Sequence, residues 1–471
     1  MEVRIDGTTI EARAGETVLQ AALRNGIDIP YFCYHRSLSI SGNCRMCLVK
    51  VEGVSKMMPS CNVSVAANMK VDTASPEVQR ARRDVMQFLM LNHPVDCGIC
   101  DKAGECRLQD LQYAYGTPRS RSSDPKHHKR KLYDLTPRIQ LDNERCILCS
   151  RCVRFTKEIS KTNLLGIVDR GGHAYVERNQ DAALADAYSD NVIGICPTGA
   201  LLSRDFLYKS RVWYLEPVRS VCNGCSRGCS VNLWRRKKEW WLRGELGEAA
   251  NRAIYRVTAS DNPDINGPWI CNKGFDLHKT AARERALTPM IAGAAATLDD
   301  ALDAARRLLV QSQRPAALVS SQASSEELGA FETALGRRVK VYTRQDCAPA
   351  PGEVTEDGFL IKADKNPNSY DVHARFGSVP LPAADTLAHD LFIVWGEWER
   401  YALLGRARVI HLTAYPPPRT PHPDVHIPLS TWVERNGTFV NFEGKRNRFE
   451  RVFDKPPLVA HAVHVFERLA S

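Results

Sequence analysis

Fifteen of the sixteen cysteines fall into four short blocks, and a histidine completes one of them. Thiolates at such spacings ligate iron-sulfur clusters, so the chain reads as a conductor of electrons. The first set is Cys33, Cys44, Cys47 and Cys61: one cysteine, a loop containing Gly42, a close pair and a distant fourth. A binuclear cluster takes two thiolates per iron, and a glycine lets backbone amides approach the bridging sulfides, so a [2Fe-2S] site is expected. Ten residues separate Cys33 from Cys44, where the plant-type pattern has about four, so the loop is longer than in that class. The alternative is a structural zinc site, for which two-plus-two pairing is the commoner pattern.

The second set has only three cysteines, Cys97, Cys100 and Cys106. A cubane cluster there needs a fourth ligand, and His93, four positions before Cys97, is the nearest candidate. Neutral imidazole leaves a cluster one negative charge fewer than thiolate does, and in Rieske centres that raises the potential. The third set is Cys146, Cys149 and Cys152 at two-residue spacing, closed from far downstream by Cys196 before Pro197, the bacterial [4Fe-4S] pattern. Only one complete repeat is present, which assigns Cys196 to the same cluster. The fourth set is Cys222, Cys225 and Cys229, with Cys271 as closing ligand after a gap of 41 residues. A zinc ribbon is the competing reading for that block. Cys347 is left over and is expected to be a buried inert thiol rather than a metal ligand.

The elements that must position these ligands are legible around them. Residues 1–12 read as two strands joined at Asp6-Gly7, a hairpin turn pair. A helix follows over Thr17–Asn25 and is ended by Gly26. A second helix, Pro76–Leu91, delivers His93, and a third is expected from Leu148 through Ile159, its free amides facing the thiolates. Beyond residue 290 the ligands stop. There Leu298, Leu302, Ala305 and Leu309 share a helical face, and Ala316–Val319, Val339–Tyr342, Leu391–Trp395 and Val409–Leu412 read as buried strands of an α/β layer. The stretch Ala348–Pro382, rich in proline, glycine and charge, is expected to be a long surface excursion.

Composition bounds the functions open to the chain. Its 471 residues suffice for roughly three domains, and no run of about 18 apolar residues is available to cross a bilayer. The start alternates apolar and polar residues like a strand and lacks a secretory signal, which points to a reducing compartment and to metal rather than disulfides. A net charge of +10 could suggest nucleic acid. The positive residues are scattered, however, and Arg45, Arg145, Arg151 and Arg154 lie among the cysteines, where they can offset anionic clusters; no nucleic-acid partner is expected. No constellation of acid, base and nucleophile stands out, so no catalytic residue is assigned. No glycine-rich fingerprint follows a strand, so FMN and NAD are expected on another polypeptide.

The segments His93-Pro94-Val95-Asp96-Cys97, Asp101-Lys102-Ala103-Gly104-Glu105-Cys106, Arg145 through Phe155 and Cys196-Pro197-Thr198-Gly199-Ala200-Leu201 resemble the 75-kDa-type iron-sulfur subunit of respiratory complex I (NADH-quinone oxidoreductase), with residues 1 to roughly 290 following that family. The fourth block resembles the [4Fe-4S] module that heads molybdopterin oxidoreductases. Pro428–Asn441 and Glu443–Arg446 look like the end of the domain that follows that module. The residues beyond 285 are far fewer than such a domain uses, which implies a degenerate scaffold without functional molybdopterin.

The resemblance implies five parts: a β-grasp [2Fe-2S] ferredoxin-like domain over 1–78, a histidine-plus-three-cysteine [4Fe-4S] domain over 79–121, a [4Fe-4S] ferredoxin-like domain over 122–215, a molybdopterin-oxidoreductase-type [4Fe-4S] module over 216–285 and an α/β domain over 286–471. It further implies one [2Fe-2S] cluster, two [4Fe-4S] clusters and a third at the fourth block. The expected partners are a flavin-bearing NADH dehydrogenase subunit and other peripheral-arm iron-sulfur subunits, with the membrane arm reached indirectly. The expected location is peripheral, on the cytoplasmic side of a bacterial inner membrane. The rival reading is the electron-transfer subunit of a soluble NAD-linked hydrogenase or formate dehydrogenase; a zinc-stabilised interaction scaffold is a third.

Overall fold

The computed structural model describes residues 1–179, 186–382, 385, 388–398, 400–418 and 422–471. The chain divides into two compact units, Met1–Tyr214 and Leu215–Ser471.

The first unit opens with a five-stranded sheet in the order Thr8–Glu11, Glu2–Ile5, Lys70–Asp72, Leu48–Val51, Met58–Pro59. Asp6 and Gly7 both adopt positive φ (47° and 82°), the hairpin turn their identities favour. Glu2–Ile5 then pairs in parallel with Lys70–Asp72, the crossing that makes the sheet β-grasp-like. Helix Val18–Arg24 is held at its start by a capping box between Thr17 and Gln20, and it buries Val18, Leu19, Ala21 and Ala22 against Val3, Ile5, Val49 and Val71. Helix Pro76–Asn92 follows, with proline at its first position, where a missing N–H costs nothing. The helix expected from Leu148 begins at Arg151 instead and runs to Glu158. Leu148 and Ser150 are left-handed (φ 52° and 60°), so the cysteine loop cannot be helical before Arg151.

The second unit begins with an antiparallel sheet of Leu215–Val221, Ser230–Arg236 and Arg256–Ala259. Next comes a seven-stranded sheet in the order Ala294–Ala295, Met290–Ile291, Val425–Pro428, Arg408–Thr413, Leu391–Trp395, Pro315–Ser320, Lys340–Arg344. Its last five strands are mutually parallel and buried on both faces, hence their nearly continuous apolar runs. The stretch 348–382 is a surface excursion only in part: 348–359 is mostly exposed, whereas burial sets in from Leu360. It contains helix Ser369–Phe376 and buries Leu360, Lys365, Asn366 and Asn368. Asn366 Oδ1 accepts from the amides of Asp346 and Cys347 (both 3.0 Å), and Lys365 Nζ donates to the carbonyls of Val354, Thr355 and Lys362. Side chains stand in for a sheet ladder there, a role that composition does not reveal. Among the described residues no helix is long and apolar enough to cross a membrane.

His411 and His426 face each other on neighbouring parallel strands, both fully buried, with ring centroids 6.1 Å apart. Burial pushes them down to about 3 and about 4. A histidine whose folded-state pKa lies below its unfolded value contributes full stability above the unfolded value and loses it as pH falls. Between pH 6.5 and 4, His426 alone is expected to remove about 3 kcal/mol. Urea midpoints of His426→Gln should therefore fall less steeply over that range than those of the native chain; parallel slopes would contradict this.

Candidate iron-sulfur sites

In the first set the Cys33 amide donates to Cys44 Sγ (3.4 Å), and the loop between Cys44 and Cys47 turns through Arg45 at φ 58°. Cys61 sits in a 3₁₀ turn, Ser60–Asn62, directly after the edge strand Met58–Pro59, and Ser60 N donates to Cys47 O (3.0 Å). The four thiols titrate as a set. Hydrogen bonds from the thiols of Cys44 and Cys61 push Cys33 down, and contacts with Cys33 and Cys47 push Cys61 up.

In the second set His93 caps helix Pro76–Asn92, and Lys126 Nζ fixes that end by donating to the carbonyls of Met90, Leu91 and His93 (2.9–3.0 Å). Burial lowers His93 to about 4, so its imidazole is neutral, as a ligand must be. Its Nδ1 is buried without a hydrogen-bond partner. An orphaned ring nitrogen beside a cysteine set fits a metal-binding donor. Cys100 and Cys106 are buried, and burial pushes Cys106 up to about 11. Gly104 turns the loop before Cys106 at φ 86°, where a side chain would be strained and its Cβ would meet the Trp213 ring at 2.8 Å.

In the third set Cys146, Cys149, Cys152 and Cys196 line one cavity with Leu141 and Pro197. The left-handed turn at Leu148 aims its amide at Cys146 Sγ (3.4 Å). Burial pushes Cys146 up to about 12 and Cys149 up to about 11. Four thiols gathered in one cavity resist ionisation, and bound iron would supply the positive charge that makes the thiolates favourable.

The three sets share walls. Cys106 Sγ lies 3.7 Å from the carbonyl of Pro197, the residue after Cys196. Cys106 packs with Phe32, Met46, Met86, Leu108 and Leu111, a cluster that also touches Cys44. Asn43 Nδ2 donates to Leu148 O (3.0 Å), tying the first loop to the third. Sequence reasoning missed Gly199 as a site residue. A Cβ there would lie 2.1 Å from Cys100 Sγ. The available signal was a glycine three positions after the closing cysteine.

In the second unit, Cys222 and Cys229 bracket the turn of the hairpin between Leu215–Val221 and Ser230–Arg236, with Cys222 N donating to Cys229 O (2.8 Å). The 41 residues before Cys271 hold the third strand of that sheet and a short helix, and they return Cys271 to the thiols of Cys222, Cys225 and Cys229. Burial raises Cys222, Cys229 and Cys271 alike. Cys347 is half-buried and pushed up to about 11 by burial; it lines a cavity of about 290 Å³ where the parallel strands end, beside Ser320, Trp395 and Thr413. Among the described residues, no three His, Cys, Asp or Glu side chains gather as the ligands of a single metal ion do.

Residues 1–76 match the 2Fe-2S iron-sulfur cluster binding domain family. Residues 82–121 match the iron-sulfur binding region of NADH-ubiquinone oxidoreductase-G, and 136–202 match the ferredoxin-like domain of NADH-quinone oxidoreductase subunit 3. The chain is similar to the mitochondrial NADH dehydrogenase [ubiquinone] iron-sulfur protein 1 of Solanum tuberosum, 40% identical over 296 residues that cover 62% of this chain and 38% of the relative. It is also similar to the NADH-ubiquinone oxidoreductase 75 kDa subunit of Reclinomonas americana, 38% identical over 293 residues that cover 62% of this chain and 40% of the relative. A chain in the crystal structure of an NAD+-reducing [NiFe]-hydrogenase in the H2-reduced state is 30% identical, with a TM-score of 0.41, over 45% of this chain and 90% of that one. The chain spans about two fifths of the length of the curated relatives it matches. With these three iron-sulfur domains in order along its first unit, the chain is a homologue of the 75 kDa iron-sulfur subunits of NADH-quinone and NADH-ubiquinone oxidoreductases.

Proposed function

We propose that the chain is an electron-transfer subunit of an NADH:quinone oxidoreductase, relaying electrons from a flavin-bearing NADH-oxidising subunit towards quinone. The observation that carries this is the sharing of walls by three ligand sets within one unit, Cys106 lying 3.7 Å from the backbone that follows Cys196. Cys33, Cys44, Cys47 and Cys61 would hold a [2Fe-2S] cluster. His93, Cys97, Cys100 and Cys106 would hold a [4Fe-4S] cluster, as would Cys146, Cys149, Cys152 and Cys196, and as would Cys222, Cys225, Cys229 and Cys271. Such clusters accept and release single electrons with little change of shape, so the protein's task is to bury, space and tune them. The side chains described above support that role: most of the cysteines are buried, the first three sets share walls, and His93 Nδ1 has no hydrogen-bond partner.

The domain divisions at residues 78, 121, 215 and 285, the absence of FMN, NAD and functional molybdopterin on this chain, and a peripheral position on the cytoplasmic side of a bacterial inner membrane belong to the same reading. So do its partners, the flavin-bearing subunit, the other peripheral-arm iron-sulfur subunits and, indirectly, the membrane arm.

Anaerobic purification with iron and sulfide analysis tests it. About fourteen irons per chain are expected from one binuclear and three cubane clusters, and about ten if the fourth set is empty or holds zinc. Recovery with a flavin subunit and membrane subunits supports the assignment; recovery with a nickel-iron subunit and no membrane protein would move the chain to a soluble hydrogenase. A colourless, iron-free chain that remains competent in its assembly sinks the reading.

A further inference from the structure

Helix Arg151–Glu158 begins inside the third cysteine set, and Arg151 and Arg154 stand one turn apart on it. Arg154 is 9% exposed. Its Nη2 donates to the carbonyls of Cys149 (3.4 Å) and Cys33, its Nη1 to the carbonyl of Ser39, and its Nε to Ser150 Oγ (3.1 Å). Arg151 donates from Nη1 to the carbonyl of Ile195 (3.1 Å) and from Nη2 to that of Tyr34 (2.5 Å). Ile195 precedes Cys196 and Tyr34 follows Cys33. Each guanidinium therefore reaches the first set with one hand and the third with the other, through backbone that carries the ligands themselves.

What is missing is an anion. Among the described residues neither arginine forms an ion pair with a carboxylate, whereas nearby Arg145 is paired with both Asp96 and Asp142. Arg151 Nε is buried without a hydrogen-bond partner. Carbonyl dipoles solvate a guanidinium but do not neutralise it, and unpaired buried charge is costly. The nearest carboxylate on the helix, Glu158, is spent on the amide and hydroxyl of Ser39, and the cysteines that face the guanidinia belong to the two sets.

We propose that Arg151 and Arg154 form a cationic bridge shared by the first and third cysteine sets, acting as counter-charge to both clusters and raising both reduction potentials together. The inference rests on the cluster assignment under the proposed function. Adding one electron to either cluster adds one negative charge, and a fixed positive charge between the two favours that state on both sides. One bridge thus serves two centres. The two arginines are tuning residues and carry no electron themselves.

The test is a potentiometric titration, followed by electron paramagnetic resonance, of the cluster-loaded protein in its assembly. Arg151→Gln or Arg154→Gln should make both the binuclear and the four-cysteine cubane cluster harder to reduce, by about tenfold in the reduced-to-oxidised ratio at a given potential, or about 59 mV for a one-electron couple. The histidine-ligated cluster should hold its midpoint. Arg151→Lys and Arg154→Lys should stay within about threefold of the native ratio, because the charge is kept. Unmoved midpoints in iron-replete Gln variants, or movement of one cluster alone, overturn the bridge. If the Gln variants lose iron, the Lys variants decide: midpoints near native support the shared charge, and a tenfold loss refutes it. Missing iron-sulfur signals in the unaltered protein would instead refute the cluster assignment, an outcome distinct from a failure of the bridge alone.

Discussion

Gly199→Ala is expected to strip the second cysteine set of its cluster while sparing the third. The added methyl would sit 2.1 Å from Cys100 Sγ, 3.3 Å from Lys102 Cβ and 3.6 Å from Arg145 Cδ, so no direction of retreat is open. The backbone on which it is built cannot yield easily. Thr198 Oγ1 donates to Arg145 O (2.9 Å), Asp142 N donates to Ala200 O (2.8 Å), and Leu201 pairs with Leu141 in a sheet. The sulfur must move instead, although Arg211 holds the carbonyl of Cys100 (2.6 Å). Overpacking of this kind costs about 1–3 kcal/mol, and here it falls on a ligand atom rather than on a pliable side chain. Iron content should drop by about four per chain, with loss of one cubane signal and retention of the signal of the set closed by Cys196. Full iron content and an unchanged spectrum in the alanine variant would remove Gly199 from the site.

Arg145→Met should cost about 3–5 kcal/mol of stability, the range for breaking one partner out of a buried ion pair. Arg145 is 1% exposed, with Nη2 2.7 Å from Asp96 Oδ2 and Nε 3.3 Å from Asp142 Oδ2, and Asp142 is itself 1% exposed. Methionine keeps most of the bulk and removes the charge. Lys131 Nζ, 3.9 Å from Asp142 and 3.3 Å from Asp96, offsets part of the loss and places the expectation towards the lower end. Burial already pushes Asp142 above the ordinary carboxylate range, with Arg145 opposing that shift. Without Arg145 the folded-state pKa rises further above the unfolded value. Such a group costs stability as pH rises, so the defect should be largest near neutrality and shrink on acidification. Asp142→Asn in the Arg145→Met background should recover much of the loss, which makes denaturant midpoints of the two singles and the double a thermodynamic cycle. A loss below about 1 kcal/mol in Arg145→Met, or no recovery in the double, would show that the pair is not coupled.

Much of the molecule was legible residue by residue. Asp6-Gly7 makes the hairpin because both positions take positive φ, and Thr17 with Gln20 caps the helix that follows. The spacing of Cys146, Cys149 and Cys152 implies one loop around one centre. The apolar runs at 316–319 and 391–395 become neighbouring strands of a parallel sheet, since a sheet covered on both faces tolerates little else. Each of these is short-range: a dihedral preference, a cap, a ligand spacing or a burial period acts within a few residues of the chain.

Where such rules stop, expectation failed or was silent. Composition made 348–382 a surface excursion, yet Asn366 and Asn368 are buried because their amides satisfy backbone groups of distant segments, Asn368 Oδ1 accepting from Val440 N (2.6 Å). The return of Cys271 to a hairpin 41 residues upstream depends on the strand between them. Arg154 reaches Ser39 and Cys33, more than a hundred positions away, and Gly199 meets Cys100 across nearly as many. The amino-acid order thus determined by itself which residues are candidates to grip iron and how each local loop turns, because ligand chemistry and turn sterics are local. Tertiary packing alone decided which cluster sets share a wall, which glycine must stay bare and which arginines lie between two centres, because those contacts exist only once distant segments have closed on one core.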